Sequence, residues 1–310
     1  MIIINEYDQG QKDIWDEFVE SAKNKHFFFH RDYLEYHSDR FIDNSLIFYY
    51  EDKLVALLPA NLKENALISH GGLTYGGFIC NNRMKTPLML ECFNSLKDYC
   101  NKKNIRQIIY KAIPHIYHLL PAEEDLYALF LNGAKLIRRD VSSTLGKNKI
   151  KYSDGRKWII RKAKKNNIQF KVTTNFSSFW QLLSKVLKSK HNRKPVHSLS
   201  EMKKLASLFP NNIKLFISFN KHKLLAGTII FENEKVCHTQ YIATSDEGKK
   251  VGALDYLIDQ LINNIYEDKE YFDFGISTVN DGKVLNEGLL FQKEDFGGRT
   301  VVYDTYRIEI

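Results

Sequence analysis

The sequence predicts an α/β protein with mixed sheets, built as two tandem domains related by internal duplication. Three observations lead there. The chain has 310 residues, more than a single core of ordinary size organises. Each half contains a hairpin followed by a strand–helix–strand unit, an order that gives mixed sheets covered by helices. The halves also align. Tyr49-Tyr-Glu-Asp-Lys-Leu-Val-Ala-Leu-Leu58 resembles Phe219-Asn-Lys-His-Lys-Leu-Leu-Ala-Gly-Thr228 in pattern, and Asn132-Gly-Ala-Lys matches Phe296-Gly-Gly-Arg. The helix from Thr86 matches the helix from Gly252, the strand from Arg106 matches that from Tyr271, and the offsets stay at about 164 to 170 residues. The expected division is 1–146 and 147–310.

Met1 to Tyr7 reads as a first strand, and Gln11 to Lys23 as a helix with Ile14, Trp15, Phe18, Val19 and Ala22 at helical spacing. An aromatic segment, His26 to Leu34, leads into a short helix. Leu46–Tyr50 and Leu54–Leu62 flank a polar turn and read as a hairpin. His70 to Phe78 is a glycine-rich loop, and Thr86-Pro87 opens a helix in the favoured cap order. A strand at Arg106–Ala112, a helix at Glu123–Leu131 and a strand at Lys135–Leu145 complete the first half.

The second half opens on a basic helix near Asp154–Asn167. Then come a strand at Ile168–Thr173, two helices (Phe176–His191, Leu199–Phe209) and a hairpin of Ile213–Phe219 with Lys223–Glu232. A strand at Val236–Thr244, a helix at Gly252–Glu267, a strand at Tyr271–Gly275, a short helix near Asn286 and a last strand at Arg299–Ile310 follow.

Composition excludes some classes. With 44% hydrophobic and 26% charged residues the chain reads as soluble and globular, and no apolar run approaches the ~20 residues that span a bilayer. The first residues have neither the basic start nor the apolar stretch of a signal peptide. Cys80, Cys92, Cys100 and Cys237 show no C-x-x-C pairing, so neither a zinc site nor a disulfide framework is expected, and a reducing cytoplasm fits best. The net charge of +8 is local. Lys147, Lys149, Lys151, Arg156, Lys157, Arg161, Lys162, Lys164, Lys165 and Lys171 fall in one segment with Asp154 as its only acid. Such a run is either a solvated helix face or a surface for phosphate, RNA or lipid headgroups.

The chemistry concentrates in the second half. The alternating strand Tyr271-Phe-Asp-Phe-Gly-Ile-Ser277 feeds a polar loop and then a short helix closed by Gly297-Gly298. A strand that ends in small residues and leads into a helix is a good place for a ligand. Upstream, Ser245-Asp-Glu-Gly-Lys-Lys-Val-Gly-Ala-Leu joins a strand to an amphipathic helix. Backbone amides at a helix start, a glycine and Lys249 and Lys250 make an anion site plausible there; the spacing matches neither a Walker loop nor a dinucleotide fingerprint.

This order of elements resembles the GNAT acyltransferase superfamily, whose Q/R-x-x-G-x-G/A loop holds the diphosphate of acyl-coenzyme A. Lys249-Lys-Val-Gly252-Ala-Leu meets part of that pattern. The tandem copy, the Arg156-Lys-Trp-Ile-Ile-Arg-Lys-Ala-Lys-Lys helix, the Phe-Asp-Phe-Gly strand, Phe291-Gln-Lys293 and Phe296-Gly-Gly together resemble the Fem-like branch, which includes the FemABX peptidyltransferases. The resemblance covers essentially the whole chain through diffuse motifs.

It implies two tandem GNAT-like domains, the second binding acyl-CoA (acetyl-CoA foremost) and the first shaping an acceptor cleft. The implied activity is bacterial N-acyl transfer to an amine of an amino sugar or cell-envelope polysaccharide precursor, without a metal. An aminoacyl-tRNA donor and a non-catalytic binding module are the alternatives. Ordinary GNATs carry a Tyr four residues before the Gly-Phe of the last helix; this chain has Lys293 four before Gly297, as Fem-like proteins do. Catalytic candidates are Lys293, Asp273, Glu287 and His238. Donor binding would involve Ser245, Lys249, Lys250, Val251, Gly252, Ala253, Ser277 and Asn286, and acceptor binding His70, Tyr75, Tyr241 and Arg156. Each also has a plain structural reading, as a cap, a turn or a surface charge.

Overall fold

The computed structural model describes residues 1–148 and 150–310, the side chains of Lys190 and His191 excepted. Lys149 of the basic segment therefore lies outside the described residues. The chain divides into two compact units: Met1–Asp140 with Thr278–Val284 and Val302–Ile310, and Val141–Ser277 with Leu285–Val301. The division read from the sequence at 146/147 thus differs from the structure, because both long strands, at 135–145 and 299–309, change unit along their length.

The first unit carries β1 (Ile2–Glu6), α1 (Lys12–Ser21), α2 (Arg31–Leu34), β2 (Ile42–Asp43), β3 (Leu46–Tyr50), β4 (Lys53–Leu58), β5 (Asn61–Lys63), β6 (Ala66–Ile68), β7 (Ile79–Cys80), α3 (Thr86–Lys102), β8 (Gln107–Lys111), α4 (Glu124–Leu131) and the start of β9 (Lys135–Leu145). One sheet has the order β1-β3-β4-β7. The expected hairpin is β3–β4, in register from Leu46↔Leu58 to Tyr50↔Lys53. Pro87 in the first turn of α3 follows the expected cap order, and Met89, Cys92, Phe93, Leu96 and Cys100 form its buried stripe. These side chains join Phe48, Phe78 and Tyr110 in the unit's core.

The second unit carries α5 (Asp154–Lys165), β10 (Gln169–Thr173), α6 (Phe176–His191), α7 (Leu199–Leu208), β11 (Ile213–Asn220), β12 (Lys223–Glu232), β13 (Val236–Thr244), α8 (Asp246–Val251), α9 (Ala253–Gln260) and β14 (Tyr271–Ile276). A ribbon of β15 (Thr278–Val279) and β16 (Val284–Leu285) then leads to α10 (Glu287–Glu294) and β17 (Arg299–Glu309). The sheet order here is β10-β11-β12-β13-β14-β9, antiparallel except for the parallel β13–β14 pair.

Two helical layers cover this sheet. Ala226 packs with Leu254 and Leu257 of α9, whereas a side chain at the neighbouring Gly227 would meet the Phe179 ring of α6. Adjacent strand residues point to opposite faces, so α9 and α6 lie on opposite faces. The helix expected at Gly252–Glu267 begins earlier and is broken. Ser245 caps α8 by accepting from Gly248 N, and Gly252, at φ +74°, separates α8 from α9. A one-turn π-helix at Leu261–Ile265 ends the segment.

Candidate functional site

The parallel strands β13 and β14 pair only at Val236↔Tyr271, Cys237↔Phe272 and His238↔Asp273. Beyond that point their ladder ends and the strands enclose a cavity of about 220 Å³. Its wall is Ile242, Ala243 and Thr244 of β13, Phe274 of β14, Leu254 and Ile258 of α9, Leu289, Gln292 and Lys293 of α10, and Val186 and Leu187 of α6. Since α6 and α9 lie on opposite faces, the cavity passes through the sheet at the gap. The lining is mostly apolar, with a cation on one side, the composition of a small-ligand site.

Gly275 organises the polar groups around this gap. It adopts φ +74°, and the β14–β9 register shifts between Asp273 and Ile276, as at a bulge. A side chain at Gly275 would begin 3.1 Å from His238 Cε1 and push that ring aside, and the positive φ itself favours glycine.

Phe272 and Phe274 face the α9 side, so Asp273 between them faces the α6 side. Asp273 is fully buried. Its Oδ1 accepts from Ser142 Oγ at 2.5 Å, Thr144 Oγ1 at 2.9 Å and Gly275 N at 3.2 Å. Its Oδ2 lies 2.7 Å from His238 Nδ1. Four donors on one carboxylate suit an acceptor-only group and offset the several kcal/mol that burying a charge costs. With Nδ1 donating to Asp273, the His238 ring is fixed in the tautomer whose Nε2 accepts a proton. The His238 side chain keeps 15% of its surface.

On the other side of the same residue, Lys293 Nζ donates to Gly275 O at 2.7 Å, Ile276 O at 2.8 Å and Ser277 Oγ at 2.9 Å. Burial lowers the Lys293 pKa to about 8, and the nearby Asp273 charge opposes that shift. Asn286 holds α10 in place by accepting from Leu289 N at 3.1 Å, while its own N–H donates to Ser277 O at 2.8 Å. The structure therefore brings together His238, Asp273, Lys293 and Ser277, with Asn286 supporting them. Glu287 is exposed at the first turn of α10.

The glycine loop is used differently from the sequence expectation. A side chain at Gly252 would meet Ile159 Cγ2 at 2.6 Å and Ile159 O at 2.8 Å, so its open side is filled by α5. Ala253 is fully buried and Val251 packs against the same core. Gly252 thus serves a left-handed helix break and close helix packing. Lys249 pairs with Asp246 at 2.9 Å, and Lys250 is exposed. Gly252→Ala is expected to cost about 1–3 kcal/mol through the positive φ and the Ile159 clash, visible as a lower melting temperature. An unchanged melting curve would contradict this packing role.

Arg156 is also a packing residue. Its guanidinium pairs with Asp255, donates to Gln292 O at 3.1 Å and lies 4.3 Å over the Phe296 ring. Tyr241 OH lies 2.7 Å from His197 Nδ1, and its ring packs edge-on against Trp180. In the first unit, the loop holding His70 and Tyr75 is a tied turn. Lys111 Nζ donates to the carbonyls of His70, Gly71 and Leu73 at 3.2, 3.3 and 2.7 Å. His70 is buried, and desolvation, then His37, lowers its pKa to about 3. Tyr75 is buried 4.6 Å from Tyr117. Both residues proposed for acceptor binding are thus interior residues of the first unit.

Sequence reasoning missed Ser142 and Thr144. They lie on β9, which the sequence places at the end of the first domain, and nothing local announces their pairing with β14. Among the described residues no group of His, Cys, Asp and Glu is arranged to hold a metal ion, and no helix is long and apolar enough to cross a membrane.

No family model matches the chain, and no curated protein does. Solved structures do. FemX superposes with a TM-score of 0.71 at 10% identity, over 99% of this chain and 97% of that one. L-PGS from Bacillus licheniformis gives 0.64 at 13% identity, over 98% and 92%. A tandem GNAT protein from the clavulanic acid biosynthesis pathway gives 0.52 at 8% identity, over 100% and 98%. The protein has a tandem GNAT fold. The fold is similar to that of FemX.

Proposed function

We propose that this protein is an acyltransferase that moves an acyl group from an acyl-CoA, acetyl-CoA foremost, to an amine of an amino sugar or cell-envelope polysaccharide precursor. The observation that carries the reading is the through-sheet cavity walled in part by Lys293, next to the Gly275 bulge that the His238 ring also abuts. The reading places the thioester carbonyl in the gap against the Lys293 cation, with the amine approaching from the side of His238.

In the transfer, His238 Nε2 takes the proton of the attacking amine, with Asp273 as the positioning carboxylate that stabilises the imidazolium. The new C–N bond forms as the C–S bond breaks, and the leaving thiolate receives its proton from the Lys293 ammonium, which gives up its hydrogen bond to Ser277 Oγ to reach it. A pKa of about 8 leaves Lys293 mostly protonated at neutral pH yet able to give up the proton. The apolar lining excludes water, which strengthens both interactions.

The test is release of free coenzyme A thiol from acetyl-CoA in the presence of a panel of amino sugars. Amine-dependent release supports the reading, and no release with any amine counts against it. Leu289 stands on the cavity rim at 37% exposure. Leu289→Trp is expected to raise the donor KM about tenfold or more by filling the entrance, with an unchanged melting temperature. A donor KM equal to that of the parent protein would show that the donor binds elsewhere. An aminoacyl-tRNA donor is the second reading; it shares the transfer chemistry and is separated by direct donor titration.

A further inference from the structure

Helix α5 has two opposed faces. Arg156, Ile160 and Ala163 are buried against the second unit. At about 100° per residue, the stripe opposite them is Trp158, Arg161, Lys162 and Lys165, spaced i, i+3, i+4 and i+7. Lys157 and Lys164 flank it, both exposed. Trp158 leaves 58% of its surface in water, uncommon for a side chain that is usually well buried. The Lys162 ammonium lies 5.3 Å from the Trp158 ring centroid.

We propose that this outward face of α5 docks on an anionic lipid bilayer. The chemistry of the stripe fits that partner. Lysines close to a negative headgroup layer each contribute about 1 kcal/mol of attraction. An indole at the centre of such a patch prefers the headgroup boundary, where its ring is apolar-solvated and its N–H remains wet. One feature favours a bilayer over RNA. The patch is lysine-rich, with Arg161 as its one arginine; lysine acts as a hydrated point charge, whereas arginine suits nucleic-acid recognition. The inference concerns a surface outside the acyl-transfer site and stands whether or not that activity is found.

The experiment is sedimentation of the full chain with phosphatidylcholine vesicles made with and without phosphatidylglycerol. Expected is binding to the anionic vesicles that weakens with salt, with a blue shift of tryptophan emission that disappears in Trp158→Phe. Arg161→Glu combined with Lys165→Glu is expected to weaken binding about tenfold or more; both positions are exposed, and circular dichroism checks that the fold is kept. Equal binding to neutral vesicles, or a charge-reversed variant that binds as the parent does, would overturn the proposal. So would tRNA binding at protein concentrations where vesicles are not bound.

Discussion

His238→Asn is expected to lower the acyl-transfer kcat by about 10²- to 10⁴-fold, the range a general base contributes, with little change in either KM. The choice of asparagine is deliberate. Its amide N–H stands near the position of Nδ1 and can still donate to Asp273 Oδ2, now 2.7 Å from the ring nitrogen. The buried carboxylate therefore keeps a donor on that side and the fold is retained. Alanine would leave one side of Asp273 unpartnered, at a cost of about 1–3 kcal/mol, and would mix a stability defect with a catalytic one. Comparing the two variants by stopped-flow thiol release and thermal melting separates the effects. A His238→Asn enzyme with undiminished kcat would remove His238 from the chemistry.

The Lys293 prediction is a signed pH dependence. The group is buried, and its pKa of about 8 lies below the ordinary 10.5. Its proton is needed for the leaving thiolate, so turnover should fall as pH rises through about 8. Stability should move the other way. Between the folded and unfolded pKa values the unfolded chain holds more protons, so the contribution of this group to stability rises with pH across that window. A loss of rate above pH 8 without loss of melting temperature is therefore expected. Lys293→Met should lower kcat about 10²-fold and abolish the alkaline limb. A variant with the parent's turnover, or one that keeps the limb, would show that another group titrates.

The fold was largely legible because it is repeated. Two copies of the same hairpin and strand–helix–strand order, from Tyr49 and from Phe219, support each other where either alone would be ambiguous. The site was legible in part. Asp273 could be picked out as an acid on the polar face of the alternating strand, His238 from its place on the preceding strand, and Lys293 because of its distance from Gly297. Their partners could not. Ser142 and Thr144 come from a strand more than a hundred residues away, and antiparallel pairing at that range leaves no local periodic trace. The bulge at Gly275, which directs one carbonyl to Lys293 and clears space for the His238 ring, is a backbone property that a lone glycine in a strand only hints at.

The glycine at 252 went the other way. As sequence, Lys249-Lys-Val-Gly-Ala reads as an anion loop; in the structure the glycine faces Ile159. The local pattern was right that a side chain is forbidden there, but α5, the neighbour that forbids it, is about ninety residues earlier. Bulk introduced at Gly252 would consequently report on helix packing, which is why the cavity rim at Leu289 is the better probe of donor binding.

In the proposed reaction an acyl-CoA enters the gap between β13 and β14. Isothermal titration of the purified protein with acetyl-CoA, and separately with aminoacyl-tRNA, tests it most directly. Saturable binding of acetyl-CoA that is weakened by Leu289→Trp and kept by His238→Asn is the predicted result. No heat with any acyl-CoA, together with saturable binding of charged tRNA, would contradict it.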